Sequence, residues 1–193
     1  AYQATFNSTI YFSLEEGELL EEVDGGKKPN PPGPSHIGEL GKRSNPVQIN
    51  EWLEFTDTYY ERLEDRIEYE GKFKLRITDL VRGNAAMEQL ELESSINDPA
   101  PEGHEWVIFT MELEMLDGNE DYPYTFSPSF KVVSSSGVGV QQYDYAYFSS
   151  NKLDYTDLFP GGSHSGRAAL YVPVGDESLI GFFGNYTDIF FFS

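Results

Sequence analysis

Two segments of this chain, residues 99–116 and 158–173, are built alike: a turn rich in proline and glycine leads into an alternating strand. After the first turn, every second residue is apolar, namely Val107, Phe109, Met111, Leu113 and Met115. Successive side chains of a strand point to opposite faces, so this set should face a core. Repeated units of turn and strand predict antiparallel sheets packed as a β-sandwich.

Further strand candidates cover most of the chain beyond residue 44, at 50–60, 65–82, 105–117, 127–134, 138–148, 166–172, 178–183 and 188–192. Residues 84–95 favour a short helix instead, which Asn84 could cap. We therefore predict one all-β domain over residues 44–193, an antiparallel β-sandwich with one short helix. About 150 residues are enough for a single hydrophobic core.

Residues 1–43 have a different character. They contain one strand candidate, Thr5 to Phe12, then an acidic run and a stretch at 25–34 rich in glycine and proline. Neither a helix nor a central strand can include that stretch, so we interpret it as a linker or long loop. A strand joined by a linker is a candidate for exchange between copies of the chain.

The charge of the chain limits its partners. Thirty-three acidic residues against 13 basic ones give a net charge of −20, and the only cations from Asn84 onward are Lys131, Lys152 and Arg167. Such a surface would repel phosphate backbones and anionic headgroups, so we expect neither nucleic acid nor a membrane surface as a partner. The longest apolar runs fall short of the roughly 18 residues of a spanning helix, so we expect no insertion by this chain.

Cysteine is absent, which excludes a thiol nucleophile, a thiolate metal site and disulfide bonds. The sequence starts at Ala1 with neither an initiator methionine nor a signal-peptide pattern. We expect a mature form or a trimmed one.

A series of short motifs runs in order from the start of the predicted domain to its end: Ser44-Asn45-Pro46-Val47-Gln48-Ile49, the strand 75–83, Asn97-Asp98-Pro99, Glu102-Gly103-His104-Glu105-Trp106-Val107, and Leu158-Phe159-Pro160-Gly161-Gly162 before Val172-Pro173. In their order and spacing, these motifs resemble the DUF4352 family, a telokin-like, immunoglobulin-like domain of bacterial extracellular proteins and lipoproteins. The resemblance covers about three quarters of the chain. The acidic, tyrosine-rich stretch 117–126 and the first 40 residues depart from the family pattern.

The resemblance implies an immunoglobulin-like sandwich and an extracellular or cell-surface location. The location would commonly come from a lipidated N-terminal cysteine, which would have to lie upstream of Ala1. The resemblance implies no catalytic residues and no cofactor.

One candidate metal site follows from the acidic stretch. Asp117, Asn119 and Asp121 resemble the opening of a calcium loop, but Tyr122 and Pro128 stand where an EF-hand needs glycine and a bidentate acid. A looser calcium site is one interpretation, and a polar hairpin tip is the other.

Two rows of tyrosines are the candidate binding surface. Tyr122 and Tyr124 alternate, and so do Tyr143, Tyr145 and Tyr147. If the outward rows of neighbouring strands coincide, they form a flat surface for sugar rings or a peptide. The alternative is that these are strand residues packed half-buried against a neighbour.

The three histidines, His36, His104 and His164, suggest no catalytic set. His164 occupies the centre of Gly162-Ser163-His164-Ser165-Gly166, where a nucleophile elbow requires serine. We therefore expect a non-enzymatic binding module for a protein or cell-wall partner. A structural spacer that exchanges strands through residues 1–23 is the alternative, and a hydrolase with paired carboxylates is a remote one.

Overall fold

The computed structural model describes residues 39–61, 67–183 and 189–193, which belong to one compact unit, His36–Ser193. In chain order the described elements are β1 (Leu53–Tyr60), β2 (Glu68–Arg82), α1 (Asn84–Glu93), β3 (His104–Asp117), β4 (Tyr124–Phe126), β5 (Phe130–Val133), β6 (Gly139–Val140), β7 (Thr156–Leu158), β8 (Ser163–Pro173), β9 (Leu179–Phe183) and β10 (Ile189–Phe192). The strand candidate at 5–12 and the linker at 25–34 lie outside the described residues.

The strands form two four-stranded antiparallel sheets and one two-stranded sheet. The first sheet has the order β1-β2-β3-β8 and the second has the order β10-β9-β5-β6, while β4 pairs with β7. The predicted all-β antiparallel fold is thus confirmed, with one short helix among the described residues. Its immunoglobulin-like form stays a prediction.

The main core is built from apolar residues of both four-stranded sheets. Leu75 lies opposite Leu113 and Phe73 opposite Met115 across the β2–β3 ladder, and all four are buried. The second sheet adds Val132, Ile180, Phe182 and Phe192 to the same cluster. The face of β3 that alternation predicts to be buried is therefore the face that forms this core.

A second, smaller core lies on the opposite face of β3. Trp106 and Ile108 are buried there together with Tyr171 of β8, Phe148 and the α1 residues Ala86 and Leu90. The start of β3 is thus covered on both faces, because α1 packs against the face that alternation alone would assign to solvent.

The predicted cap of α1 is wrong. Gly83, with φ of 67°, occupies the N-cap position, no side chain caps the helix, and Asn84 is its first residue. The positive φ lets the chain turn directly from β2 into the helix, and glycine adopts it without the steric cost of a Cβ.

The predicted strands differ from the structure in two ways. The candidate at 138–148 is a strand only at 139–140, because side chains rather than a neighbouring strand hold the backbone beyond it. The three-residue strands β4 and β7 were not predicted. Three residues are too few for an alternation pattern to be distinguished from chance.

The two ends of the unit are joined by backbone hydrogen bonds. Val47 bridges to Phe192 in parallel, and the Gly41 carbonyl accepts from the amide of Phe191 at 2.7 Å. The unit therefore includes residues before the predicted boundary at Ser44.

Candidate binding groove

A groove of about 690 Å³ lies along β8, the strand that ends the first sheet. Strands β5 and β6 and the segments 141–148 and 152–155 complete its lining. Two tyrosines among the lining residues are exposed, Tyr145 by 88% and Tyr155 by 55%. The volume falls in the range of small-ligand sites.

The segment 141–148, here called the tyrosine segment, is held by two buried or half-buried amides. The Gln142 amide donates to the carbonyl of Tyr171 and accepts from its N–H, both at 2.9 Å. The Asn97 amide donates to the carbonyl of Tyr147 at 2.9 Å and accepts from its N–H at 2.7 Å. Each amide replaces a strand partner, so the tyrosine segment has a fixed backbone without belonging to a sheet.

Side chains and loop backbone also occupy two positions on the outer edge of β8, Arg167 and Tyr171. The Arg167 amide donates to the carbonyl of Asn151 at 2.6 Å, and the Arg167 carbonyl accepts from Leu153 at 2.8 Å. Gln142 occupies both backbone groups of Tyr171 in the same way. Alternation along the strand turns the N–H and C=O of Ala169 to the same edge, and no described residue bonds to them. Ala169 thus offers one donor and one acceptor to the groove.

Three cations line the groove: Lys131, Lys152 and Arg167. They are all the lysine and arginine residues of the chain from Asn84 onward. Asp154 is the one carboxylate among the described lining residues. The groove is therefore locally positive within a half of the chain that is strongly negative overall.

The three cations differ in how far they are engaged. Lys131 lies over the ring of Phe183, at 4.8 Å from Nζ to the ring centre, and forms no ion pair with a described carboxylate. Lys152 pairs with Asp154 at 3.3 Å, and both side chains are more than half exposed. Exposed pairs of this kind are weak, so both lysines remain accessible to an external anion.

Arg167, by contrast, belongs to a structural contact. Its guanidinium forms an ion pair with Glu93 of α1 and donates to the carbonyl of Ser150, and its Nε is buried without a partner among the described residues. Glu93 also accepts from the hydroxyl and the amide of Ser149, at 2.6 and 3.0 Å. These bonds, the Ser149 hydroxyl first and Arg167 next, lower the pKa of Glu93 to about 2.

The predicted tyrosine surface is only partly present. Tyr143, Tyr145 and Tyr147 are all exposed, Tyr143 by 76% and Tyr147 by 52%. They lie on a loop rather than on a strand, and only Tyr145 of the three lines the groove. Tyr122 stacks on Tyr69 with ring centres 5.3 Å apart.

Tyr124 is a correction. It is 1% exposed, and its hydroxyl donates to Asp57 at 2.7 Å within the core, so it cannot belong to a binding surface. The alternative interpretation, a strand residue packed against its neighbours, therefore holds for Tyr124, which is fully rather than half buried.

The candidate calcium residues form a turn. The side-chain oxygen of Asn119 accepts from the amides of Asp121 and Tyr122, and Asp117 accepts from the amide of Gly118. Bonds of this kind are typical of a polar hairpin tip. Among the residues that the structure describes, no group of three potential metal ligands occurs, and calcium binding at this turn stays a prediction.

The two described histidines lie near opposite ends of β3. His104 pairs with Pro173 across the β3–β8 ladder, whereas His164 pairs with Leu113. His164 Nε2 lies 3.0 Å from the carbonyl of Asp154, next to the groove. His36 is outside the described residues.

Sequence reasoning missed Tyr155, Lys131 and Lys152 as site residues. The sequence contained a signal for the two lysines, because they are two of the three cations in a region with 17 acidic residues. Nothing in the sequence, however, shows that positions so far apart meet at one edge of a sheet.

Comparison with known proteins gives little further information. No family model and no curated protein matches the chain. One solved structure, a conserved hypothetical protein from Bacillus anthracis, is similar to it at 15% identity, covering 72% of this chain and 96% of that one, with a TM-score of 0.33. Among the described residues, no helix is long and apolar enough to cross a membrane.

Proposed function

We propose that this chain is a non-enzymatic binding module of the extracellular space or cell surface, and that the groove along β8 is its ligand site. The observation that carries the proposal is the pair of exposed rings, Tyr145 and Tyr155, at a groove with unoccupied backbone groups and accessible lysines. Exposed aromatic rings supply contact area at little entropic cost, and they offer flat faces to sugar rings or peptide groups.

The location is part of the same proposal. It rests on the resemblance to the DUF4352 family and on the acidic surface, which suits solubility outside a cell. A lipid anchor upstream of Ala1 would hold the module at the surface, with a cell-wall polymer or a surface protein as its partner.

The state of the polar groups supports binding rather than catalysis. Arg167, Glu93 and Gln142 each hold one segment against another, so their bonds would break if they took part in proton transfer. A scaffold that presents a fixed loop next to a groove is suited to recognition.

The test is a pulldown of cell-wall fractions and surface proteins with the intact chain and two double variants. Tyr145→Ala with Tyr155→Ala removes the rings of the groove, whereas Tyr143→Ala with Tyr147→Ala removes two exposed rings of the same kind that do not line it. We expect the first pair to lose at least about tenfold in binding and the second pair to bind like the original chain. Equal binding by both variants, or binding to no fraction, would contradict the proposal.

A further inference from the structure

We infer that the groove takes a short acidic oligosaccharide, with sugar rings on the two tyrosines and a carboxylate at the lysines. This inference rests on the proposed function and adds the chemical class of the ligand. Three features of the groove carry it: the charge of its lining, the state of the β8 edge and its volume.

The charge of the lining favours an anion. All three cations of residues 84–193 line this one groove, although 17 acidic residues lie in the same part of the sequence. Arg167 is engaged by Glu93, so Lys131 and Lys152 are the cations that a ligand can reach. Lys131 has no carboxylate partner among the described residues, and a ligand carboxylate would supply one.

The edge of β8 favours a sugar over a peptide. A peptide that adds to a sheet edge needs alternate residues of that edge to be unpaired along several positions. Here Arg167 and Tyr171 are already bonded, so Ala169 is the one β8 residue of the described groove lining that turns an unbonded N–H and C=O to this edge. One donor next to one acceptor suits a sugar hydroxyl, which can donate and accept at the same point.

The volume and the total charge favour a short ligand. A space of about 690 Å³ accommodates a molecule of a few rings. A long polyanion would extend beyond the groove and face a protein with a net charge of −20. At 0.15 M salt, charges more than about 8 Å away are largely screened, so a short ligand in the groove interacts mainly with the nearby lysines.

Calorimetric titration with three probes tests the inference at about 0.15 M salt. The probes are trigalacturonate, its fully methyl-esterified form, which has the same rings without charge, and a triglutamate peptide, which has the charge without the rings. We expect trigalacturonate to bind most tightly. Equal binding of the ester would show that charge is not recognised, and equal binding of the peptide would point to an acidic peptide; either result overturns the inference, as does no binding of trigalacturonate.

Variants of the groove separate specific recognition from a loss of folding. Lys131→Gln and Lys152→Gln should each weaken trigalacturonate binding about two- to fivefold, and Lys72→Gln, which removes an exposed cation elsewhere, should leave it unchanged. Asp154→Asn removes the carboxylate that competes for Lys152 and should strengthen binding about twofold. A misfolded variant cannot produce such a gain, and weaker or unchanged binding by Asp154→Asn would contradict the role of charge.

The two proposals can fail separately. If wall fractions are retained by the intact chain and lost with Tyr145→Ala and Tyr155→Ala, the binding module stands whatever the result with trigalacturonate. Failure of trigalacturonate alone then rejects only the acidic-sugar ligand.

Discussion

Two side chains, Glu93 and Asn97, attach the tyrosine segment and the residues after it to the C-terminal end of α1. Glu93 accepts two bonds from Ser149 and pairs with Arg167, and Asn97 bonds the backbone of Tyr147 on both sides. The Asn97 amide also donates to the carbonyl of Leu90, at the end of the helix. These two residues therefore link the helix to one wall of the groove.

Glu93→Gln should lower the stability of the chain at neutral pH and reduce its sensitivity to acid. The folded-state pKa of Glu93 is lowered from about 4.5 to about 2, so its contribution is present above the unfolded value and is lost as the pH falls through that interval. We expect a loss on the order of 1–2 kcal/mol, after allowance for solvent screening. Denaturant unfolding between about pH 7 and pH 2 measures it. Glu91→Gln, an exposed position on the same helix, is the control, and parallel pH profiles for the two variants would contradict the prediction.

Asn97→Ala should destabilise the fold by about 1–3 kcal/mol, because it leaves the part-buried N–H and C=O of Tyr147 without these partners. Hydrogen exchange should also become faster at the amide of Tyr147 than in the core strands. Asn84→Ala is the matched control, since Asn84 caps nothing in the structure and alanine is the better helix former. Unchanged protection of Tyr147 in Asn97→Ala would show that the tyrosine segment is held by other contacts.

At the scale of elements, the outer edge of β8 is where the groove is assembled. Residues 151–153 pair with Arg167 and pass directly over Gly166. A Cβ at Gly166 would lie 2.5 Å from the Cα of Leu153 and 2.6 Å from its N. Glycine is thus required here by the close approach of a second backbone.

Gly166→Ala should displace residues 151–153 from β8, because the clash is with backbone atoms that have little freedom to move. We expect a loss of about 1–3 kcal/mol in unfolding free energy together with weaker ligand binding at the groove. Gly139→Ala is the control for stability, since a Cβ there meets no atom within 4 Å. Equal stability of the two variants would show that the segment can shift without cost.

The elements that the sequence predicts well are the ones with a long periodic pattern. β2 and β3 have 15 and 14 residues, and their apolar alternation identifies the core face correctly. β4 and β7 have three residues each, too few for a pattern. The segment 141–148 alternates like a strand but has no strand partner. Instead, the Gln142 side chain bonds the backbone of Tyr171, and the Asn97 side chain bonds the backbone of Tyr147. The local sequence gives no sign of such long-range bonds.

The candidate site was predictable in part. The exposed tyrosines were identified as a possible surface, since aromatic rings in an alternating row are visible in the sequence. The sequence does not show which residues meet at the groove. Lys131, Tyr145 and Arg167 are brought together there by the register of β8 and the path of two loops. Tyr124 was assigned to the surface because a strand pattern does not show which face is covered.

At the scale of the whole molecule, β1 is the edge of the first sheet opposite β8, and no described strand covers it. β1 has eight residues and pairs only with β2 among the described strands. Exposed edges of this length can accept a strand from another chain. This edge is a candidate acceptor for the strand exchange predicted through residues 1–23.

Deletion of residues 1–34 should convert an oligomer formed by strand exchange into a monomer. Light scattering on the full chain and on the deletion variant measures the change, and Thr56→Pro, placed in the middle of β1, should have the same effect by interrupting the edge. The full chain with Glu88→Gln, a change at an exposed position outside both the deleted region and β1, is the control. A full chain that is already monomeric over the accessible concentration range would contradict strand exchange and leave the binding module as the proposed role.

The backbone pairing of residues 41–47 with Phe191 and Ser193 means that the unit closes on itself. A chain that enters and leaves a domain at one point can be spliced into a surface loop of a host protein with little distortion of either. The same closure permits circular permutation: a short connector could join Ser193 to Glu39, and new termini could open at the exposed turn 120–121, which does not line the groove. The groove, remote in sequence from that junction at most of its lining positions, would be carried intact into such a fusion.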